Sequence, residues 1–316
     1  MFFPIRNFEE NWPILPREAL LKKLELPPVG RKIDMVLDTD TYNEVDDQFA
    51  LAYALLSPER LNVQAIYAAP FYNDRSTSAG DGMEKSYQEI LRLLGKMNIS
   101  PEGLVFRGSE RTLTDHTPVD SPAAQDLVRR AMQREADDPL YVVAIGAITN
   151  VASAILIEPE IVNRIVVVWL GGQMLSWPTA SEFNLSGDLI ASRLIFDCGV
   201  PLIQVPCMGV ASHLLASVPE LQAFIGGKNP LCDALVELFA AYADDTFGWA
   251  KEIWDVSTIG VLMNPDWSRS TVEPSPILSL DTQTYARHAG RHPFRIVSAL
   301  DRNAMFRDMY RKLAKA

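Results

Sequence analysis

The sequence predicts an α/β protein with a single open, mainly parallel sheet flanked by helices. Short runs of aliphatic and β-branched residues recur along the chain and alternate with helical segments, which is the pattern of a parallel sheet covered by helices. Each run is nearly continuously apolar, as expected for strands that are buried on both faces. The predicted strands are 33–37, 63–68, 104–106, 141–145, 165–170 and 202–205.

Helical segments fill the gaps between these strands. The clearest are 46–56, 78–94, 122–134, 150–157, 189–197, 231–242, 255–263 and 302–315. Two further strand-like runs within 273–300 predict a small peripheral β-ribbon. No linker or repeat divides the 316 residues, so we expect one domain over 1–316, with residues 1–31 as an N-terminal arm.

Charge and hydropathy exclude several classes of partner. The chain has 29 basic and 40 acidic residues, and its formal charge of -11 repels nucleic acids. No apolar run approaches the roughly 18 residues that span a bilayer. Glu9, Glu10 and Glu25 lie where a secretory signal would be basic and then apolar. We therefore expect a cytoplasmic, soluble protein that binds a small molecule or a metal ion, and no membrane or nucleic acid.

An acidic loop joins the first predicted strand to the first predicted helix. It holds Asp38, Asp40, Glu44, Asp46 and Asp47, and it lies at the carboxyl end of a strand, where ligands bind in α/β sheets. Several like charges at close range would drive proton uptake, and a bound cation removes that conflict. All-oxygen ligands select a hard ion, and clustered carboxylates fit Ca²⁺ better than strictly octahedral Mg²⁺.

Two other interpretations of the acidic loop stay open. Asp46 could be a helix N-cap and Asp47 a favourable first-turn charge, with the remaining acids solvated. A haloacid-dehalogenase-like phosphatase also begins with a strand and Asp-x-Asp. There a Thr or Val is expected where Tyr42 stands in this chain.

The motif Asp38-Thr-Asp, followed by Asp46-Asp47 and an apolar helix, resembles the inosine-uridine nucleoside hydrolase family, whose usual motif is Asp-x-Asp-Pro-Gly-x-Asp-Asp. Four later segments support the resemblance in the expected order over residues 33–265. They are Ala144-Ile-Gly-Ala-Ile-Thr-Asn-Val-Ala, Trp169-Leu-Gly-Gly, Ser181-Glu-Phe-Asn and Trp254-Asp255.

The resemblance implies a Ca²⁺-dependent hydrolase that cleaves an N-glycosidic bond, assembled as a homodimer or homotetramer. The implied calcium ligands are Asp40, Asp47, Asp255 and the backbone carbonyl of Thr149. Asp40 would also take a proton from the attacking water, and Asp38 would support these ligands. An anionic pocket suits an oxocarbenium-like transition state. The implied sugar-binding residues are Asp46, Asn73, Glu182 and Asn184.

The carried-over residues also have structural interpretations. Asn73 could be a turn residue, and Glu182 and Asn184 could stabilise their loop. Asp255 could be only the N-cap of the helix that follows it.

The chain departs from the family pattern in three places. Two residues are inserted between Asp40 and Asp46, which turns the Pro-Gly turn into Thr41-Tyr-Asn-Glu-Val, where Tyr42 or Glu44 either lines the pocket or is exposed. Trp254 occupies the position of a His that resembles the leaving-group acid in many purine-accepting members of the family. An indole cannot donate a proton at this position, but it can stack on a ring. After the glycine turn, Ser176 takes the place of an Asn that would contact the sugar, with Trp177 as a hydrophobic wall.

These departures leave the substrate open. Without an acid, good leaving groups such as pyrimidines or nicotinamide are favoured over purines. Two alternatives remain beside the riboside hydrolase: a hydrolase of a non-nucleoside sugar conjugate, and a non-catalytic sugar or nucleoside sensor on the same fold. The sensor is motivated by Trp254, but binding alone does not require the full set of carboxylates.

Overall fold

The structure is a computed structural model that describes residues 12–316. Residues 1–11, part of the expected N-terminal arm, lie outside the described residues. The strands are β1 (Ile33–Thr39), β2 (Leu61–Ala68), β3 (Val105–Arg107), β4 (Leu140–Ala144), β5 (Ile165–Leu170), β6 (Leu202–Val205), β7 (Leu215–Ala216), β8 (Lys251–Glu252), β9 (Ser268–Pro274), β10 (Ile277–Leu278), β11 (Tyr285–Ala286) and β12 (Pro293–Leu300).

The helices of the described part alternate with the strands over most of the chain. They are α1 (Arg17–Lys23), α2 (Asp47–Leu55), α3 (Ala79–Lys96), α4 (Pro122–Met132), α5 (Thr149–Ile157), α6 (Phe183–Gly187), α7 (Leu189–Asp197), α8 (Val218–Phe224), α9 (Pro230–Ala240), α10 (Val256–Met263) and α11 (Arg302–Leu313). No helix within residues 12–316 is long and apolar enough to cross a membrane.

Eight of the strands form one sheet, in the order β3-β2-β1-β4-β5-β6-β12-β9. Neighbouring strands from β3 to β12 pair in parallel, and β9 pairs with β12 in the antiparallel sense. This confirms the predicted mainly parallel sheet. The chain runs outward from β1 to β3 and then returns to place β4 on the other side of β1, so the strand order reverses between β1 and β4. Ligands of open α/β sheets bind outside the carboxyl ends of the strands at such a point.

The apolar runs became strands because both faces of the sheet are covered. Along β1, Met35 and Leu37 pack into the core that contains Phe49 of α2. Val36, which points to the opposite face, packs into the core that contains Val151 of α5. Successive side chains of one strand therefore pack into two different cores, one on each face of the sheet. This explains why apolar and polar residues do not alternate along the strand.

The C-terminal region differs from the expected ribbon in one respect. A ribbon is present, since β10 and β11 pair in the antiparallel sense. The run Pro293–Leu300, expected to be peripheral, instead enters the main sheet as β12 between β6 and β9. Arg295 interrupts the apolar pattern of this strand. The Arg295 guanidinium donates hydrogen bonds to the backbone carbonyl of Leu24 and to the hydroxyl of Ser270.

The described part of the arm packs onto the sheet. Leu20 and Leu24 of this segment are buried in the core. The guanidinium of Arg60 donates to the carbonyls of Pro27 and Pro28 at 2.7 and 2.6 Å, which fixes the chain entering β1. The arrangement of residues 1–316 as one domain with an arm stays a prediction.

Candidate active site

Three carboxylates meet at the carboxyl end of the sheet, beside the switch point. Asp46 and Asp47 lie at the start of α2, and Asp255 lies at the start of α10. One oxygen of each lies within 4.8 Å of the other two, and all three residues are buried. Asp46 and Asp255 occupy N-cap positions, yet neither side chain makes a capping hydrogen bond. The structure therefore does not support the interpretation of these two acids as mere helix caps.

Asp40 lies beside this group in the same pocket. Its side chain is 1 % exposed, and neither carboxylate oxygen has a hydrogen-bond partner. Burial, followed by the charges of Asp47 and Asp46, raises the pKa of Asp40 well above its usual value. A buried carboxylate without partners needs either a proton or a cation. The site therefore has the donor set and the charge to hold a hard metal ion.

Burial and neighbouring negative charges also raise the pKa values of the other acids of the group. Burial and then the charge of Glu44 raise the pKa of Asp46 to about 7. Burial raises the pKa of Asp255 well above its usual range, and the charges of Asp46 and Asp47 raise it further. Asp47 is held by the hydroxyl of Thr39, which donates to its Oδ1 at 2.5 Å.

The grouping differs from the implied ligand set, because it contains Asp46 and does not contain Asp40. Asp46, expected on the sugar, shares the convergence with Asp47 and Asp255, because the start of α10 packs against the start of α2 and the Asp255 N–H donates to Asp46 Oδ2 at 3.4 Å. Thr149 opens α5, and its hydroxyl donates to Asp188 Oδ2 at 2.8 Å. Thr149 does not line the pocket.

Asp38 lies beneath the pocket at the end of β1. Its Oδ1 accepts a hydrogen bond from Asn150 Nδ2 at 2.7 Å, and Oδ2 has no partner. Asn150 is fixed in turn by the N–H of Ser109, which donates to its Oδ1 at 2.7 Å. Burial raises the pKa of Asp38 to about 7. This placement agrees with a supporting role for Asp38.

Glu182 and Asn184 also line the pocket, at the start of α6. The Glu182 carboxylate accepts from the N–H groups of Asn184 and Gly172 at 2.9 and 2.8 Å, so it caps α6 and holds the turn. Gly172 has a φ of 68°, a conformation that favours glycine. Asn184 Nδ2 donates to the carbonyls of Ile145 and Leu170 at 3.2 and 3.0 Å. Both side chains therefore have structural roles in addition to facing the pocket.

Two predicted substrate-binding residues lie outside the pocket lining. Asn73 is half-buried, and its Nδ2 donates to Asn43 Oδ1 at 2.6 Å. Asn43 belongs to the loop 41–45, here called the inserted loop, and it lines the pocket where Asn73 does not. Ser176 is exposed, and Trp177 is 41 % exposed and forms no pocket wall. Gln173 of this segment does line the pocket. Its Oε1 accepts a hydrogen bond from the N–H of Met208, another pocket residue, at 2.8 Å.

The pocket is open and has a volume of about 210 Å³. Trp254 lines it, as proposed from the sequence, and within residues 12–316 no histidine does. Sequence reasoning missed several lining residues because their signals are long-range or their types are unremarkable in a loop. They are Asn43, Ile145, Leu170, Gln173, Phe183, Cys207 and Met208.

One ion pair near the pocket was also missed. Lys251 of β8 is buried, and its Nζ lies 2.5 Å from Oε2 of Glu44, a pocket residue of the inserted loop. Burial lowers the pKa of Lys251, but the charges of Asp46 and Glu44 outweigh burial and raise it. The only local sequence signal is a single basic residue between Trp249 and Trp254.

An α/β sheet that gathers buried carboxylates at its switch point, around an open pocket with acidic and apolar walls, provides a site able to hold a metal ion, as many hydrolases do. The family model described as inosine-uridine preferring nucleoside hydrolase matches residues 35–307. The chain belongs to this family, and it is a glycosidase that acts on ribonucleosides.

Curated relatives agree with this family. The chain is 29 % identical over 266 residues to the pyrimidine-specific ribonucleoside hydrolase RihA of Klebsiella pneumoniae (strain 342), covering 74 % of this chain and 80 % of that protein. RihA of Escherichia coli O9:H4 (strain HS) is 28 % identical over 264 residues, with 74 % and 80 % covered.

Two solved structures share the fold at low identity. The purine-preferring ribonucleoside hydrolase from Gardnerella vaginalis has a TM-score of 0.71 at 18 % identity, covering 89 % of this chain and 98 % of that one. The plant nucleoside hydrolase PpNRh1 has a TM-score of 0.68 at 19 % identity, covering 90 % and 100 %.

Proposed function

We propose that the protein is a Ca²⁺-dependent hydrolase of pyrimidine ribonucleosides. The observation that carries the proposal is Asp40, a buried carboxylate without partners beside three converging carboxylates. Asp40, Asp47 and Asp255 would hold the ion, which would supply a bound, acidified water and neutralise their charge. The family resemblance adds the backbone carbonyl of Thr149 as a ligand, although Thr149 does not line the pocket. Because Asp46 shares the convergence with Asp47 and Asp255, a metal-binding role for it stands beside its sugar-binding role.

The protein's own groups account for the remaining steps. Asp40 accepts a proton from the water whose oxygen bonds to the anomeric carbon, and the carbon–nitrogen bond breaks with its electron pair leaving on the base. The carboxylates of Asp46 and Glu182 and Oδ1 of Asn184 accept hydrogen bonds from the ribose hydroxyls. Asn73 and Ser176 do not line the pocket, so the proposal does not use them for the sugar. The carboxylates of the pocket stabilise positive charge developing on the ribosyl group.

Two observations support pyrimidines as leaving groups. Trp254 offers a ring for stacking but no transferable proton, and within residues 12–316 no histidine lines the pocket. A base that leaves without protonation is therefore favoured. The curated relatives described above are named as pyrimidine-specific.

Ribose release tests this proposal. Reducing sugar would be measured with uridine, cytidine, inosine, nicotinamide riboside and a non-nucleoside riboside, in EGTA and after adding back Ca²⁺ or Mg²⁺. We expect turnover to fall more than about 100-fold in EGTA, Ca²⁺ to restore it better than Mg²⁺, and pyrimidine nucleosides to exceed inosine. Equal rates in EGTA and Ca²⁺ would refute the metal requirement.

A matched pair of substitutions separates the site from general effects. Asp255→Asn removes one member of the buried group, whereas Asp266→Asn makes the same change at an exposed position outside the pocket. Only Asp255→Asn should abolish both turnover and the rise in melting temperature on adding Ca²⁺. Equal effects of the two substitutions would count against the proposed metal centre.

We further propose that the protein is a cytoplasmic homodimer or homotetramer. The support for this is the family resemblance. Light scattering of the purified full chain measures its mass, and a monomer of 35.2 kDa would refute the oligomer.

A further inference from the structure

The inserted loop, residues 41–45, forms a fixed wall of the pocket. Its Asn43 accepts a hydrogen bond from Asn73, and the Arg75 guanidinium lies 4.5 Å from the centroid of the Tyr42 ring. Val45 is buried in the core. These contacts anchor the loop to the segment that follows β2, so the insertion adds a defined surface to the pocket.

Within this wall, Glu44 presents a carboxylate to the pocket. Its side chain is 33 % exposed, whereas that of its partner Lys251 is 10 % exposed. Lys251 does not line the pocket. Its Nζ contacts Glu44 Oε2 on one side and lies 4.6 Å from the centroid of the Tyr242 ring on the other. The carboxylate is therefore held in place by a buried ammonium behind it.

Glu44 and Trp254 both line the pocket. Glu44 precedes Asp46 by two residues, and Lys251 precedes Trp254 by three, so the ion pair joins the acidic loop to the Trp254 segment. Glu182 and Asn184 lie at the start of α6, on either side of the pocket residue Phe183, and Glu182 also holds the glycine turn that follows β5. A flat base stacks on an indole, and sugar hydroxyls suit an amide and a carboxylate.

Building on the proposed function, we propose that Glu44 determines the specificity for the leaving group by accepting a hydrogen bond from one of its N–H groups. The matching chemical class is a heterocyclic base with a ring or exocyclic N–H, such as uracil or cytosine. An ionised carboxylate accepts hydrogen bonds and donates none, which excludes recognition of a base through an acceptor alone.

Lys251 is the positioning residue for Glu44, and it also balances charge. The departing base takes the electron pair of the carbon–nitrogen bond, and an isolated carboxylate beside it would oppose that charge. The ammonium of Lys251 cancels the charge of Glu44 while leaving it able to accept a hydrogen bond. Glu44 therefore acts mainly on substrate binding, and loss of Lys251 also slows the bond-breaking step.

The test compares uridine with 3-methyluridine, in which a methyl group replaces the ring N–H. We expect the wild-type protein to prefer uridine by about 10- to 100-fold in kcat/KM, the range for one hydrogen bond to a charged group. Glu44→Ala should bring this ratio close to one, mainly by raising KM for uridine, and Glu44→Gln should lower it less. Glu220→Ala is the matched control, because it breaks a half-buried ion pair with Arg302 outside the pocket.

The role of Lys251 is tested by a double-mutant cycle. Lys251→Met should lower kcat for uridine, Lys251→Arg should retain most of it, and Glu44→Ala combined with Lys251→Met should recover kcat relative to Lys251→Met alone. A purely structural role of Lys251 predicts no recovery in the double variant, which would overturn this assignment.

Sugar release and the ratio of uridine to 3-methyluridine test the hydrolase and the role of Glu44 separately. If uridine is hydrolysed but neither Glu44 substitution changes the ratio of uridine to 3-methyluridine, the role of Glu44 is overturned and the hydrolase remains. If no riboside releases sugar, the proposed function fails, and the specificity role fails with it.

Discussion

Replacing Asp40 with asparagine should have opposite effects on activity and on the stability of the metal-free protein. The carboxylate is 1 % exposed, and neither of its oxygens has a partner. As the proposed base, it should contribute about 10²- to 10⁴-fold to kcat, and Asp40→Asn should lose that factor. Without metal, burial and then the charges of Asp47 and Asp46 raise the pKa of the same carboxylate. Each pKa unit of that shift corresponds to about 1.4 kcal/mol against the ionised form.

The asparagine keeps the shape of the side chain and removes its charge. Because its amide atoms still lack partners, only part of the cost of burial is relieved, and we expect the metal-free variant to gain about 1–3 kcal/mol in free energy of unfolding. For a chain of this length, that gain corresponds to an increase of a few degrees in melting temperature.

Urea unfolding in EGTA at pH 7.5, followed by tryptophan fluorescence, measures this gain, and ribose release in Ca²⁺ measures the loss of activity. Asp266→Asn is the matched control and should change neither quantity. A variant that is destabilised in EGTA would refute the claim that charge repulsion governs this pocket, whatever happens to kcat. A variant with full activity would refute the assignment of Asp40 as the base.

Three further predictions concern other parts of the structure. Thr39→Val removes the hydroxyl that donates to Asp47 at 2.5 Å, and calorimetry should show calcium affinity weakened by about 10- to 100-fold; unchanged affinity would contradict the positioning role of Thr39. In EGTA, the stability of the wild-type protein should fall as pH rises from about 5 to 8, because the pKa of Asp46 is raised to about 7, so the folded state binds more protons than the unfolded state in that window; urea midpoints that rise with pH would contradict this. Arg291→Met breaks a buried pair in which the guanidinium contacts Asp197 Oδ1 at 2.5 Å, and it should lower the free energy of unfolding by about 3–5 kcal/mol while KM of the folded fraction stays unchanged; a loss below about 1 kcal/mol would show that the pair is dispensable.

The sheet could be predicted from the sequence because its strands are buried on both faces. The six predicted strands became β1 to β6 with ends within two residues of those expected. β12 was misplaced because Arg295 and Ser298 interrupt its apolar run, and the partners that accommodate Arg295 lie 271 and 25 residues away in the chain. The short helices α1, α6 and α8 were missed, since five to seven residues carry too little periodicity to distinguish a helix from a loop.

The candidate site was predictable where its residues are adjacent in sequence. Asp38, Asp40, Asp46 and Asp47 lie in one loop, so their charge density alone indicated a cation, and the resemblance added Asp255 from the distant Trp254-Asp255 pair. Lys251 was beyond reach, because it pairs with Glu44 across 207 residues and has no motif of its own. The position of Ser176 outside the pocket lining could not be predicted, because counting residues from the glycine turn does not determine where the next loop points.

The inserted loop changes the charge balance of the pocket, and this explains why it is accompanied by a buried lysine. Within residues 12–316, six carboxylates line the pocket: Asp40, Glu44, Asp46, Asp47, Glu182 and Asp255. If all are ionised, the proposed Ca²⁺ and the Lys251 ammonium offset three of the six charges and leave three. Glu44 is the carboxylate of the lengthened loop 41–45, and it is paired with Lys251. The insertion therefore adds a hydrogen-bond acceptor for the leaving group without adding net charge beside it, while the remaining negative charge favours the cationic ribosyl group.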